Sequence, residues 1–362
     1  LEVLADETEY EAAKAVVLAV AAVGINDRGL TLLGWEFDTR IKLAPDDPVA
    51  GLPEELGPFL SELIHRRPGL SVRVLQWNLG LLGTLLRGTT PFYLLNWMSA
   101  RRFTFRLDGA HPAGASHHQK IVVIDDVLAF CGGIDVTDDR WDTSEHRDGD
   151  GHRVRPSGRT YAPFHDATVA VDGDAAAALG DLARERWRRA TGERIAPPAP
   201  AKHDTWPAGL APLLRDVEVG ITRTEPAYRD RPAIREVEQL YLAAIQRARR
   251  TIYFESQYFA ARCIVEALAV AGHKVAFTYA ANHDAAAALV AAVEAAGGAA
   301  RAFPAARRRL PRWRWMQTAP CWSTSCRCGR QARRAGWSAR PPRQGRSASV
   351  HLISSARQFM PG

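Results

Sequence analysis

His118 and Lys120 open the run His118-Gln-Lys120-Ile-Val-Val-Ile-Asp125 and stand two residues apart. On an extended strand that spacing puts both side chains on one face, an imidazole beside an ammonium. The pair suits attack on a phosphodiester. The imidazole nitrogen can act as nucleophile, and the ammonium can neutralise the non-bridging oxygens as charge builds on them. Asp125, at the far end of the strand, would orient a histidine or pair with a cation. The Gly132-Gly133 pair that follows lets the backbone turn sharply or approach a substrate closely. His117 points to the opposite strand face from His118 and is expected to be structural. Trp35 and Trp141 are expected as core or cleft-wall aromatics. Glu255 and Gln257 alternate with Phe254 and Ser256, which gives that strand one polar face directed at the site.

Elements of two kinds must position these groups. Short apolar runs at Leu30–Trp35, Val72–Trp77, Phe103–Asp108 and Lys120–Asp125 predict strands. Helical spacing predicts helices over Glu54–His65, Pro91–Ala100 and Ala175–Arg189, the last ending at the stop signal Thr191-Gly192. Ile195-Ala-Pro-Pro-Ala-Pro-Ala201 reads as a linker. The order then restarts: helix Ala233–Arg249, strand Thr251–Glu255, helix Cys263–Ala271, strand Lys274–Tyr279 and helix Asp284–Ala296. On the first of these helices Ile234, Val237, Leu240, Tyr241, Ala244 and Ile245 share a face. The repeat of strand and helix predicts two similar lobes, an internal duplication.

At 362 residues, 46% apolar and 24% charged, the composition is globular. The longest apolar stretch, Ala12 to Ile25, is interrupted by Lys14 and is too short to span a bilayer. The net charge of +7 misleads as an average. Residues 301–362 hold 14 Arg and no Lys, Asp or Glu, leaving 33 basic against all 40 acidic residues in positions 1–300. The same segment holds Cys321, Cys326 and Cys328 and four of the ten tryptophans. Those cysteines lack the paired spacing or nearby histidine of a structural zinc site, so no metal and no cofactor is expected. Cys131 and Cys263 read as buried thiols, and nothing demands an oxidising compartment.

The HxKxxxxD run resembles the hallmark of the phospholipase D superfamily. Gly34-Trp-Glu-Phe-Asp38, Gly132-Gly-Ile-Asp135, Arg140-Trp-Asp142, Pro163-Phe-His-Asp166 and Phe254-Glu-Ser-Gln-Tyr-Phe259 resemble its bacterial phospholipase members, over roughly residues 15–300. The resemblance implies an α/β, bilobal fold in which each lobe is a mixed sheet flanked by helices and gives one HxK to a metal-free site at the lobe interface. One histidine becomes a covalent phosphohistidine and the other protonates the leaving alcohol. Carried over, His118 is nucleophile or acid, Lys120 the phosphate clamp and Asp125 the supporting carboxylate. Gly133, Asp135, His165 and Gln257 would contact substrate. The implied substrate is a phospholipid, hydrolysed or transferred to another alcohol. A monomer is expected, cytoplasmic and in peripheral contact with membrane, with nucleic acid not expected as a partner.

The departure from the pattern is equally definite. After the linker, His203, His273, His283 and His351 all lack a lysine two residues on. Val72 precedes His118 by 46 residues, and the same interval from Lys274 puts the missing motif near residue 320, inside the acid-free segment. A GC-rich gene read in a wrong frame gives such a peptide, so a frameshift near residues 297–307 is expected. The domain reading is therefore a first lobe over 1–192, a linker over 193–210, an incomplete second lobe over 211–300, and an Arg-rich, structureless tail over 301–362. Two alternatives stand beside it. One is a single-motif, nuclease-like homodimer. The other is an inactive remnant whose basic tail binds nucleic acid or anionic lipid.

Overall fold

The computed structural model describes residues 2–5, 29–43, 50–78, 101–113, 115–143, 146–164, 166–199, 206–207, 210, 212–249, 261–271, 274–279, 299–304 and 349–358, with isolated positions between 252 and 295. The chain divides into two compact units, 1–241 with 349–362, and 242–348.

In the first unit the described elements are β1 (Glu2–Ala5), β2 (Gly29–Gly34), α1 (Leu56–Arg66), β3 (Ser71–Trp77), β4 (Phe103–Asp108), β5 (Ala115–His117), β6 (Lys120–Ile124), β7 (Leu128–Gly132), β8 (Ala167–Asp172), α2 (Gly173–Thr191), β9 (Glu218–Glu225) and β10 (Ile234–Arg235). Helix α3 (Glu236–Arg247) begins there and runs past the division. The last strand, Ser349–Gln358, returns to this unit.

A seven-stranded mixed sheet, in the order β1-β8-β7-β6-β2-β3-β4, forms the frame. Strands β2, β3 and β4 run parallel, and β6 returns antiparallel to β2 with Leu33 opposite Ile121. Both faces of the sheet are covered, which is why its strands read as continuous apolar runs. On one face Leu30, Leu32, Val72, Val74 and Ile124 pack with Phe59, Leu60 and Leu63 of α1. On the other, Leu33, Leu75, Ile121 and Val123 pack with Leu179, Ala183 and Trp187 of α2. Successive residues of β6 thus alternate between the two cores, and its register cannot slip by one residue without exchanging them. Helix α2 stops at Gly192, whose φ of 79° suits the left-handed C-terminal cap.

The expected strands and helices of the first lobe recur within a residue or two, apart from the helix Pro91–Ala100, which lies outside the described residues, as does the Ala12–Ile25 stretch. Strands β1, β7, β8, β9 and β10 were not predicted. Ile234 sits in β10, so the helix expected from Ala233 starts later, at Glu236, and of its proposed apolar face only Ile245 is fully buried.

The second unit contains α4 (Arg262–Val270) and the parallel pair β11 (Lys274–Tyr279) and β12 (Ala299–Pro304). The expected strand Thr251–Glu255 and most of helix Asp284–Ala296 lie outside the described residues. Within the segment expected to lack structure, β12 reaches Pro304 and β13 (Ser349–Gln358) pairs parallel with β9 and antiparallel with β5, Ala356 opposite His117. The run Val350-His-Leu-Ile353 supplies the β-forming side chains that the surrounding Arg-rich sequence lacks. No described helix is long and apolar enough to cross a membrane.

Candidate functional site

Strands β2, β3 and β4 end at Gly34, Trp77 and Asp108, and antiparallel β6 begins beside them at Lys120. One sheet edge therefore gathers Trp35, Trp77, His118, Lys120 and the Gly132-Gly133 turn. The carboxyl ends of parallel strands are where α/β sheets place ligand sites.

Lys120 is buried, and its Nζ lies 3.0 Å from Oδ2 of Asp135, whose side chain is 1% exposed. The other oxygen of Asp135 accepts the Trp35 N–H at 2.8 Å. A buried ammonium of this kind is tolerable only because it is paired. Burial pushes the Lys120 pKa down, Asp135 pushes it back up, and Arg140 and Asp166 act more weakly in opposite directions. Trp35 forms the wall between the two predicted reactive groups. Its ring meets the His118 imidazole edge-on at 4.7 Å between centroids, and Lys120 Nζ sits 5.5 Å from the ring centroid. Trp77 packs edge-on behind Trp35 at 5.3 Å. His118 is half-buried, whereas Lys120 is deeper.

The sequence reading put His118 and Lys120 on one uninterrupted strand. The strand in fact breaks at His118-Gln119, between β5 and β6. The two side chains still converge, through Trp35 rather than through the pleat.

Gly133 is required by close approach. A Cβ there would lie 1.9 Å from a carboxylate oxygen of Asp166, and the Gly133 N–H donates to the Ala167 carbonyl at 3.0 Å. Glycine thus brings Asp166 in over the end of β7. Beyond it, Asp142 organises the 138–164 loop. It accepts from Arg153 Nη1 at 2.6 Å, His146 Nδ1 at 2.9 Å and the Phe164 N–H at 2.8 Å. Burial alone would raise its pKa, but these donors hold it below the usual carboxylate range.

Asp125 is not part of this cluster. It closes the β6–β7 turn with φ 53°, and its Oδ1 accepts the Gly29 N–H at 2.6 Å. Five residues of strand separate it from Lys120, about 16 Å at ~3.3 Å per residue. It ties the start of β2 to the end of β6 and so fixes register from the far edge. Asp135, expected to contact substrate, pairs with Lys120. His165 and Gln257 lie outside the described residues.

His117 is fully buried, as its opposite facing suggested. Its Nε2 is 2.9 Å from Gln119 Oε1 and its Nδ1 3.5 Å from Asp108 Oδ2. Asp108 also takes a short hydrogen bond from Arg186 of α2. Burial first, and then Arg186, push the His117 pKa down to about 3, so its ring is neutral at physiological pH. Sequence reasoning missed this network, and the alternating polar residues Asp108, His117 and Gln119 at strand ends were its only trace. Among the described residues, no three His, Cys, Asp or Glu side chains converge to hold a metal ion.

Comparison with known proteins finds curated relatives that include plant phospholipases D. Phospholipase D alpha 4 of Arabidopsis thaliana is 27% identical over 281 residues, covering 64% of this chain and 36% of that protein. Phospholipase D alpha 1 of Vigna unguiculata is 28% identical over 304 residues (63% and 37%), and that of Zea mays is 26% identical over 331 (71% and 40%). The chain therefore spans about a quarter to two fifths of the length of the curated relatives it matches. Among solved structures, NucT from Helicobacter pylori aligns with TM-score 0.33 and 10% identity, over 52% of this chain and 95% of that one. That likeness is too slight to carry an argument. No family model matches. The HxKxxxxD run and this set of relatives make the chain similar to phospholipase D proteins over about two thirds of its length.

Proposed function

We propose that the His118–Lys120 edge is one half of a phospholipid phosphodiesterase site working through a phosphohistidine. The observation that carries this reading is the buried Lys120, held by Asp135 at 3.0 Å next to a half-buried His118. In the proposed reaction an imidazole nitrogen attacks phosphorus. A P–N bond forms, the P–O bond to the headgroup breaks, and the leaving alcohol takes a proton from a general acid. Water then attacks phosphorus, the P–N bond breaks, and the histidine is regenerated. An alcohol in place of water gives transfer instead of hydrolysis. Lys120 stays protonated throughout and neutralises the non-bridging oxygens. The names of the curated relatives favour phospholipid as the substrate class.

A second HxK is absent from the sequence, so one of the two histidine roles is unfilled in this chain. General acid catalysis contributes about 10²–10⁴-fold, and it matters most when the leaving group is a poor one. With His118 acting as nucleophile, bis(p-nitrophenyl) phosphate, whose phenolate leaves without help, is expected to turn over at least about a hundredfold faster than phosphatidylcholine. His118→Ala is expected to abolish that turnover, and equal rates for wild type and variant would sink the reading. The frameshift makes a linked expectation. Translating codons 290–330 in the other frames should reveal an HxKxxxxD near position 320, and restoring that frame should raise phosphatidylcholine hydrolysis by the missing acid's factor.

A further inference from the structure

A concavity in the first unit plays no part in the reaction above. It is a cavity of about 210 Å³ between the loop after β4, helix α2 and the β9–β10 hairpin. His111, Arg186, Arg189, Glu225, Tyr228 and Arg231 contribute to its lining. Most of these are already matched. Arg186 is bonded to Asp108, and Arg189 to both Glu185 and Glu225. Both ring nitrogens of His111 are engaged, Nε2 by the Trp77 indole N–H at 3.1 Å and Nδ1 at the Pro112 carbonyl, 2.9 Å away.

Two groups differ. Arg231 makes no ion pair, and the Tyr228 hydroxyl no hydrogen bond, with any described residue. They are placed side by side by a tight turn, in which the Tyr228 and Arg231 backbones exchange N–H···O bonds at 3.1 Å and Arg229 adopts φ 54°. Arg229 lies over the Tyr228 ring, 5.1 Å from its centroid, which fixes the ring. The lining residues carry a net positive charge, with a guanidinium and a phenol that have spare donors beside two further guanidinium groups and a single carboxylate. Ala110, Pro226, Pro232 and Ile234 make most of the accessible lining apolar.

We propose that this cavity binds a small oxyanion of the phosphate class, through Arg231 and Tyr228. The volume lies below that of drug-sized pockets and suits an ion of a few heavy atoms. An anion there would form charge-assisted hydrogen bonds to a fork-shaped donor suited to phosphate. It would sit apart from the catalytic edge yet be linked to it, since His111 is bonded to Trp77, which packs on Trp35, which packs on His118.

The test is calorimetric titration of the full chain with inorganic phosphate, and flotation with phosphatidylcholine vesicles with and without phosphatidic acid. Arg231→Ala is expected to weaken binding by about tenfold or more and Tyr228→Phe by a few-fold. Arg235→Ala, an exposed arginine outside the cavity, should change nothing. Thermal unfolding of each variant checks that the fold is kept. Arg231-dependent binding of free phosphate assigns the ion itself, and Arg231-dependent binding seen only with phosphatidic acid vesicles assigns a lipid phosphate. Absence of binding to either probe overturns the proposal. So does binding that survives Arg231→Ala and Tyr228→Phe together but is lost in Lys120→Met, because the anion would then belong to the catalytic edge. The cavity and the catalytic reading can thus fail separately.

Discussion

Lys120→Met is expected to lower His118-dependent cleavage of bis(p-nitrophenyl) phosphate by about 10²–10³-fold, roughly 3–4 kcal/mol of lost transition-state stabilisation. The loss should fall on kcat more than on KM, because the ammonium meets the greatest negative charge in the transition state. Methionine is one atom shorter and also leaves Asp135 buried without its partner. Thermal unfolding of the variant therefore separates loss of the fold from loss of rate. A purely structural Lys120 would leave the rate of the folded variant within a few-fold of wild type. Asp135→Asn provides an independent reading of the same pair. In the wild type, burial drives the Lys120 pKa down while Asp135 opposes it. Without the Asp135 charge the pKa falls further, and the active, protonated lysine disappears at lower pH. The alkaline limb of the rate profile should therefore move to lower pH in Asp135→Asn while the acid limb stays in place. Superimposable profiles for the two proteins would remove Asp135 from its proposed positioning role.

These two residues also show how far the sequence carried the site. The spacing of His118 and Lys120, read with flanking runs such as Gly34–Asp38 and Gly132–Asp135, was enough to single out the pair proposed to react. The strands that hold them were visible because a two-sided sheet needs uninterrupted apolar runs, as in Ile121–Ile124. Partnership was not visible. Asp135 and Asp125 are both aspartates following an HxK, and only the register of β6 against β2 and β7 puts one beside Lys120 and the other at the opposite edge of the sheet. The missed strands had a similar cause. β7 begins four residues after Ile124, across a turn in which Asp125 and Asp126 both adopt positive φ. Such a turn is cheap for aspartate but has no fixed sequence signature. Trp35 was expected as a core or cleft-wall aromatic, and its placement between the His118 and Lys120 side chains follows from the N–H that it donates to Asp135.

The Asp108–His117–Gln119 network behind the reactive pair should govern how the first unit responds to acid. The unfolded chain binds a proton at His117 near its ordinary value of 6.5, whereas the folded chain does so only near 3. Between those values the unfolded state holds more protons, so stability rises with pH and is lost as pH falls through the window. The shift corresponds to about 4–5 kcal/mol in total at ~1.4 kcal/mol per pH unit. Asp108, whose carboxyl is held below the usual range by His117 and Arg186 against the cost of burial, adds a loss of the same sign at the acid end. Urea midpoints measured from pH 7 to pH 4 should therefore fall steeply in the wild type and less steeply in His117→Gln, and parallel curves would refute the assignment. Arg186→Met should act in the opposite pH sense. It leaves Asp108 buried with an unmatched charge, at a cost of about 3–5 kcal/mol near neutral pH. It also removes one of the two main influences that keep His117 neutral. As pH falls, His117 in this variant can take up a proton and pair with Asp108, so its deficit relative to wild type should shrink towards pH 5. A deficit that stays constant across that range would show that Arg186 contributes packing alone.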